Sequence, residues 1–127
     1  EGMGFRFTEN DRTFVFLTDN ELRHRHRGGG TFEDYAAFCQ GANLLVHDAE
    51  FTPEEYTSKI AWGHSCYTDA LDLALTAGVR HLGLYHHNQD RDDAAQDAIV
   101  ARCRDIIRER GSSLRCTAVR QEEEFAL

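Results

Sequence analysis

The sequence predicts a single α/β domain with about five strands and four helices. Short apolar runs that are typical of strands alternate with helical patterns in the second half of the chain, which indicates βαβ units and a parallel sheet. The length, 127 residues, is that of one domain. An apolar content of 41% and a charged content of 28% are ordinary for a globular protein, so a buried core is expected.

The strands are predicted from runs of β-branched, aromatic or alternating residues, at 5–8, 13–18, 43–47, 79–85 and 114–119. The turn cluster at 9–12 makes the first two strands a hairpin. Four helices are predicted from their start signals. Thr31 and Thr52 begin capping boxes, and the short helix after Thr52 should end near Ile60. Ser65 opens a helix with a clean apolar stripe, and Asp92 opens a long helix whose inward side chains should be those of Ala95, Ile99, Cys103, Ile106 and Ile107. Gly78 and Gly111 are expected to end the last two helices.

Charge and cysteine usage exclude several classes of protein. The net charge of −8 argues against a surface that binds nucleic acid throughout; only 23–27, with sequence RHRHR, could form a local basic patch. No apolar run approaches the roughly 18 residues of a membrane span. The four cysteines lack CxxC spacing and fall in apolar patterns, so we expect reduced core residues of a cytoplasmic protein.

The loop at 22–30 contains His24-x-His26, a pair that could share a metal ion. However, three glycines follow at 28–30, nothing orders the two rings, and no carboxylate follows at ligand spacing. We therefore interpret this segment as a flexible loop.

Polar side chains follow three of the predicted strands where each strand ends. These are Asp19, His47-Asp48 and His86-His87, and His64 lies in the Gly-His-Ser turn that opens the third helix. Strand ends of open α/β sheets present reactive groups to a cleft, so we expect these side chains to form one site. Only one of His86 and His87 should face it, because consecutive strand residues point to opposite sides.

Each of these residues also has a purely structural interpretation. Asp19 could cap or turn the chain, Asp48 could hold the loop before Glu50, and His64 could be a neutral histidine at a helix N-terminus. Taken together at neighbouring strand ends, they favour a metal-assisted hydrolytic site.

The stretch from Phe16 to His87 resembles the second half of the metallo-β-lactamase fold, in particular the branch of the tRNA 3′-end-processing endonucleases and related phosphodiesterases. Four motifs carry the resemblance in order: FLTDNE with Asp19, the tetrad at 47–50, Gly63-His64-Ser65, and LGLYHH with His86. The tetrad reads HDAE instead of the HEAT-like family pattern. Residues 87–89 read HNQ, where the endonucleases have Ser-Pro-Arg.

By this resemblance, the protein is a metal-dependent hydrolase of a phosphodiester. Asp19 would bridge two metal ions, usually zinc, and His86 would complete the second metal site. His64, paired with Asp48, would protonate the leaving oxygen.

The family's main metal-binding motif, His-x-His-x-Asp-His, is not in this sequence. The resemblance therefore implies that residues 1–127 are the C-terminal half of a four-layer αββα sandwich; the unusual start, Glu1-Gly2-Met3, agrees with a piece of a longer protein. With two ligands this chain should hold zinc weakly or not at all and catalyse little. The alternative is a truncated or degenerate copy that serves as a non-enzymatic interaction or signalling module. A metal-free α/β ligand-binding domain is a more distant possibility.

The first two strands carry more apolar side chains than four helices can cover, namely Phe5, Phe7, Phe14, Val15, Phe16 and Leu17. The runs at 44–46 and 82–85 are typical of strands buried on both sides. An uncovered sheet face would exceed the apolar patch that monomers tolerate. We therefore expect a partner, either the missing N-terminal half or a second copy in a homodimer.

Overall fold

The computed structural model describes residues 2–127, and across them the chain forms five strands and four helices. Their order and types agree with the prediction. The elements are β1 (Phe5–Glu9), β2 (Arg12–Leu17), α1 (Phe32–Cys39), β3 (Leu44–Asp48), α2 (Pro53–Tyr56), α3 (Tyr67–Thr76), β4 (His81–Tyr85), α4 (Asp93–Glu109) and β5 (Arg115–Ala118).

The strands form one sheet in the order β1-β2-β3-β4-β5. β1 and β2 are an antiparallel hairpin, and β2 to β5 run parallel. Asn10 and Asp11, at the hairpin turn, both have positive φ angles, which matches the right-handed twist of the two strands. Because β2, β3 and β4 are parallel neighbours, their carboxyl ends meet at one edge of the sheet.

One face of the sheet, the core face, packs against α1, α3 and α4. Alternate residues of the central strands point into this core, among them Val15, Leu45 and Leu84, each fully buried. Burying one such side chain contributes about 1.5–3 kcal/mol. All four cysteines are free and buried, as expected from the sequence; they are Cys39, Cys66, Cys103 and Cys116. Within residues 2–127, no helix combines the length and the apolar character that crossing a membrane requires.

Several helix boundaries follow the predicted signals. Thr31 and Asp34 exchange the two hydrogen bonds of a capping box, and Gly78 has the left-handed conformation (φ 64°) expected after α3. Two predicted helix boundaries are wrong. α2 ends at Tyr56 instead of near Ile60, and α3 begins at Tyr67, with Cys66 instead of Ser65 at its start as N-cap.

Ser65 does not cap α3 because its side chain has a tertiary role. Its hydroxyl donates to the Asn20 carbonyl oxygen at 2.7 Å and accepts from the Leu22 N–H at 3.0 Å. Ala95 of α4, expected to point inward, is exposed because it lines an open cleft between α4 and Thr52; Val100 is buried in the core instead.

The opposite face of the sheet, which we call the outer face, carries a row of aromatic rings. The rings of Phe5, Phe7, Phe14, Phe16 and Tyr85 follow one another with centroid distances of 5.7–6.2 Å. Leu44 and Val46, the strand partners of Phe14 and Phe16, are buried, but Phe5 and Phe7 are 44% and 56% exposed. The expectation that helices cannot cover all of these side chains is therefore confirmed for the outer face.

Candidate metal centre

Four polar side chains meet at the carboxyl edge of the sheet: Asp19, Asp48, His64 and His86. Each offers one potential ligand atom, and these atoms all lie within 4.8 Å of one another. Asp19 follows β2, Asp48 ends β3, His86 follows β4, and His64 lies in the turn before α3. The parallel sheet thus brings together all four residues that the sequence indicated.

His64 and Asp48 form a tight pair. The distance from His64 Nδ1 to Asp48 Oδ2 is 2.6 Å. Asp48 is fully buried, and its Oδ1 accepts from the backbone N–H groups of Ser65 (3.0 Å) and Glu50 (3.3 Å). These bonds fix the carboxylate, which in turn fixes the orientation of the imidazole.

The surroundings of His64 favour its protonated form. Burial by itself would lower the pKa of His64, but the hydrogen bond and the charge of Asp48, with further attraction from Glu50 and Asp19, raise it above its ordinary value. A raised pKa favours the protonated imidazole, which is the form that a general acid requires.

Asp19 and His86 both have left-handed backbone conformations, with φ angles of 49° and 55°. Such conformations cost on the order of 1–3 kcal/mol for a residue other than glycine and cluster at functional sites. They turn both side chains toward the cluster, where His86 Nε2 lies 3.4 Å from Asp19 Oδ1.

The donor set at Asp19 and His86 fits a metal ion. His86 Nδ1 is buried yet has no hydrogen-bond partner among residues 2–127, although Glu50 Oε2 lies 3.3 Å away. An imidazole nitrogen without a partner beside a carboxylate is the chemistry that zinc binds. The rings of His64 and His86 stack with centroids 4.4 Å apart. The candidate proton donor, His64, therefore lies directly beside the candidate metal ligand, His86.

Glu50 and His47 belong to the site more closely than the sequence suggested. Glu50 Oε2 approaches both His64 Nδ1 (3.5 Å) and His86 Nδ1 (3.3 Å). His47 is fully buried between its neighbour Asp48, whose carbonyl oxygen lies 2.7 Å from Nδ1, and Asn20, whose Nδ2 lies 3.1 Å from Nε2. We therefore place the proton on Nδ1. The tetrad motif contained both residues, but only the register of the strands reveals their contacts.

The remaining histidines lie outside the cluster. His87 points away and its Nε2 lies 3.2 Å from the Val119 carbonyl oxygen, so only one of the two consecutive histidines faces the site, as expected. His24 and His26 contact each other with ring centroids 4.8 Å apart, and neither belongs to the metal-binding group found in residues 2–127.

Glu21 is a buried carboxylate that the sequence did not single out. It accepts hydrogen bonds from the Tyr56 hydroxyl (2.6 Å), the backbone N–H groups of Ala61 (2.7 Å) and Gly63 (2.8 Å), and His26 Nε2 (2.7 Å). Burial raises the pKa of Glu21, but these hydrogen bonds outweigh it and lower the pKa below its ordinary value. We call this arrangement the Glu21 clamp. The Glu21 clamp fixes the turn before α3, which carries the imidazole of His64.

Comparison with known proteins relates the chain to nucleases of one fold. No protein-family profile matches it. Over 66 residues it is 39% identical to the ribonuclease Z of Gemmatimonas aurantiaca, covering 49% of this chain and 21% of that protein. Over 76 residues it is 38% identical to the ribonuclease Z of Trichodesmium erythraeum, covering 59% and 21%. The chain spans about a fifth of the length of the curated relatives it matches.

Two solved structures share its architecture. The metallo-beta-lactamase fold protein YhfI from Bacillus subtilis matches with a TM-score of 0.65 at 19% identity, covering 91% of this chain and 41% of that one. The short form of human tRNase Z, ELAC1, matches with a TM-score of 0.53 at 26% identity, covering 68% and 30%.

The fold is therefore the metallo-β-lactamase fold, which confirms the predicted class. In sequence, the chain is similar to ribonuclease Z, the branch that the four motifs indicated.

The buried His47 should make folding stability depend on pH. Burial lowers its pKa, so the folded state keeps it neutral, whereas the unfolded chain takes up the proton below a pH of about 6.5. The unfolded state then binds more protons, and stability falls as the pH drops below that value. The substitution His47→Asn replaces the ring by an amide. The amide still offers a donor to the Asp48 carbonyl oxygen, but it cannot titrate.

We expect the His47→Asn variant to have a shallower slope of unfolding free energy against pH between neutrality and mild acid, by at most about 1.4 kcal/mol per pH unit. Urea denaturation at several pH values in this range measures the slope. His24→Asn, a change in the loop, serves as control. Identical slopes for wild type and His47→Asn would contradict a neutral buried histidine.

Proposed function

We propose that this chain is part of a metal-dependent phosphodiesterase of the ribonuclease type, with a dinuclear zinc site in the complete protein. The observation that carries the proposal is the convergence of two carboxylates and two imidazoles at the carboxyl ends of β2, β3 and β4. The similarity to ribonuclease Z supports an RNA or related phosphodiester as substrate. The four reduced, buried cysteines support a cytoplasmic protein.

Asp19 and His86 would hold the metal. Asp19 presents an exposed carboxylate, and His86 presents Nε2, which lies 3.4 Å from Asp19 Oδ1. Zinc at this position supplies a Lewis acid that stabilises negative charge on phosphoryl oxygens.

His64 would act as the proton donor. Asp48 holds its Nδ1 and orients the ring, which leaves Nε2 for the leaving oxygen of the substrate. The raised pKa of His64 favours the protonated ring, which is the form that can donate this proton. Asp48 is fully buried and held by the backbone N–H groups of Ser65 and Glu50, so it would act as an orienting group.

The site needs further ligands, because a catalytic zinc takes three protein ligands and leaves one position open. We propose that they come from an N-terminal half and that residues 1–127 are the C-terminal half of the domain. The chain covers 41% of the YhfI structure, which agrees with this division. In the absence of those ligands, we expect weak zinc binding and little catalysis.

The first test concerns the metal ligands. In the chain supplemented with its N-terminal half, Asp19→Ala and His86→Ala should each weaken zinc binding about 10-fold or more, because each removes a direct ligand. Competition with a zinc-sensitive dye measures this affinity. His24→Ala removes an imidazole outside the cluster and should leave the zinc affinity unchanged. Unchanged affinity in both ligand variants would contradict the site and favour the non-enzymatic interaction module.

The second test concerns the proton donor. In the complete protein, His64→Ala should slow hydrolysis of an ester with a poor leaving group by about 10²–10⁴-fold. Hydrolysis of bis-p-nitrophenyl phosphate should change much less, because its leaving group needs no proton. Steady-state rates on both substrates measure the difference, and circular dichroism checks the fold. Equal losses on the two substrates would exclude the role.

The third test concerns the outer face, which we propose to be covered by the N-terminal half or, in its absence, by a second copy. The exposed rings of Phe5 and Phe7 support this, because burying them removes apolar area from water. Sedimentation equilibrium on the 127-residue chain should detect self-association, and Phe7→Lys should abolish it. Ile60→Lys, which changes another exposed apolar residue, is the control. A folded monomer that binds no hydrophobic dye would contradict the proposal.

A further inference from the structure

The turn before His64 presents an exposed aromatic ring. Trp62, the single tryptophan of the chain, is 62% exposed and lies two residues before His64. Lys59 Nζ lies 3.7 Å from the centroid of its ring, an arrangement that places a positive charge over the indole. Trp62 thus presents an exposed ring on the same turn that carries His64 of the candidate metal centre.

This turn is rigid. Ala61 and Gly63, on either side of Trp62, have left-handed conformations with φ angles of 70° and 94°. Their backbone N–H groups both donate to the buried carboxylate of Glu21. The ring is therefore carried by a turn that is fixed at both ends, so a ligand that stacks on it pays little for ordering the backbone.

The Glu21 clamp also joins this turn to the basic loop at 23–27. The carboxylate oxygen Oε2 that accepts from Gly63 lies 2.7 Å from His26 Nε2. Arg25 and Arg27 are exposed, and within residues 2–127 their guanidinium groups form no ion pair. The same is true of the Lys59 amine. These cations of a chain of net charge −8 therefore lie on the turn of Trp62 and on the loop that the Glu21 clamp joins to it.

We propose that these residues form a binding surface for single-stranded RNA beside the phosphoryl site, with Trp62 stacking on a base and Lys59, Arg25 and Arg27 contacting phosphates. Proteins bind single strands by combining aromatic platforms with cations that follow the backbone. The proposal rests on the function proposed above, since it assigns to this surface the strand that continues from the reacting phosphodiester. The neighbouring Ile60, 55% exposed, offers apolar area but no stacking surface.

The experiment measures binding without turnover. A short fluorescent oligoadenylate RNA is titrated with the 127-residue chain at low salt in the presence of a chelator, and anisotropy gives the affinity. Trp62→Ala should lower the affinity by about 5- to 150-fold, and Trp62→Phe, which keeps a ring, by much less. The intrinsic fluorescence of Trp62 should be quenched when unlabelled RNA binds.

The charged part of the surface is tested through the salt dependence. The double variant Arg25→Gln/Arg27→Gln should lower the affinity and reduce the slope of log affinity against log salt by about 0.7 for each lost phosphate contact. Arg102→Gln/Arg108→Gln removes the same charge from the exposed side of α4 and is the matched control. Ile60→Ala is the matched control for Trp62→Ala.

Three results would overturn the proposal. One is an equal loss of affinity in Ile60→Ala and Trp62→Ala, another is an equal loss in the two double-arginine variants, and the third is RNA binding without quenching of Trp62. If Trp62→Ala changed the sedimentation of the chain but not its RNA affinity, the surface would be assigned to a protein partner. That result would also overturn the proposal. Because the assay needs neither metal nor hydrolysis, an intact RNA affinity in an inactive protein would count against the proposed function alone.

Discussion

The parallel pairing of β2, β3 and β4 is the constraint on which the site depends. Leu17 pairs with His47, and His47 pairs with Leu84, so the three strands end at the same edge of the sheet. One residue of slip in β3 would turn Asp48 to the other side of the sheet. The apolar core therefore determines the site indirectly, because it is the burial of alternate side chains on the core face that holds this register.

Two buried carboxylates then organise the polar edge. Asp48 orients His64 and holds the Ser65 backbone, and Glu21 holds the turn that contains Gly63. A buried charge is tolerated only when hydrogen bonds satisfy its oxygens, and both groups meet that condition with several donors. The same turn is thus fixed from two sides. This explains how an imidazole on a short loop can be placed as firmly as a residue of a helix.

The two faces of the sheet differ in what covers them. The core face is sealed by three helices, whereas the outer face is covered by a row of phenylalanine rings that remain partly in water. Leu44 and Val46, which pair with Phe14 and Phe16 on this outer face, are buried, so both faces of β3 are shielded from water. A sheet with one face covered by helices and the other lined by aromatic rings is well suited to packing against a second sheet, which is the geometry of a layered sandwich.

The sequence by itself determined the element order, most strand bounds, the capping boxes at Thr31 and Thr52, and the reactive groups at the strand ends, because these features depend on local periodicity and on short-range hydrogen bonds. Only the tertiary structure decided the roles of His47, Glu50 and Glu21, whose partners include residues far away in the chain, such as Asn20, His64 and Gly63. It also decided that Ser65 bonds to the loop after β2 instead of capping α3. Hydrogen bonds between distant segments leave no periodic pattern in the sequence, since they arise only when packing of the core brings those segments together.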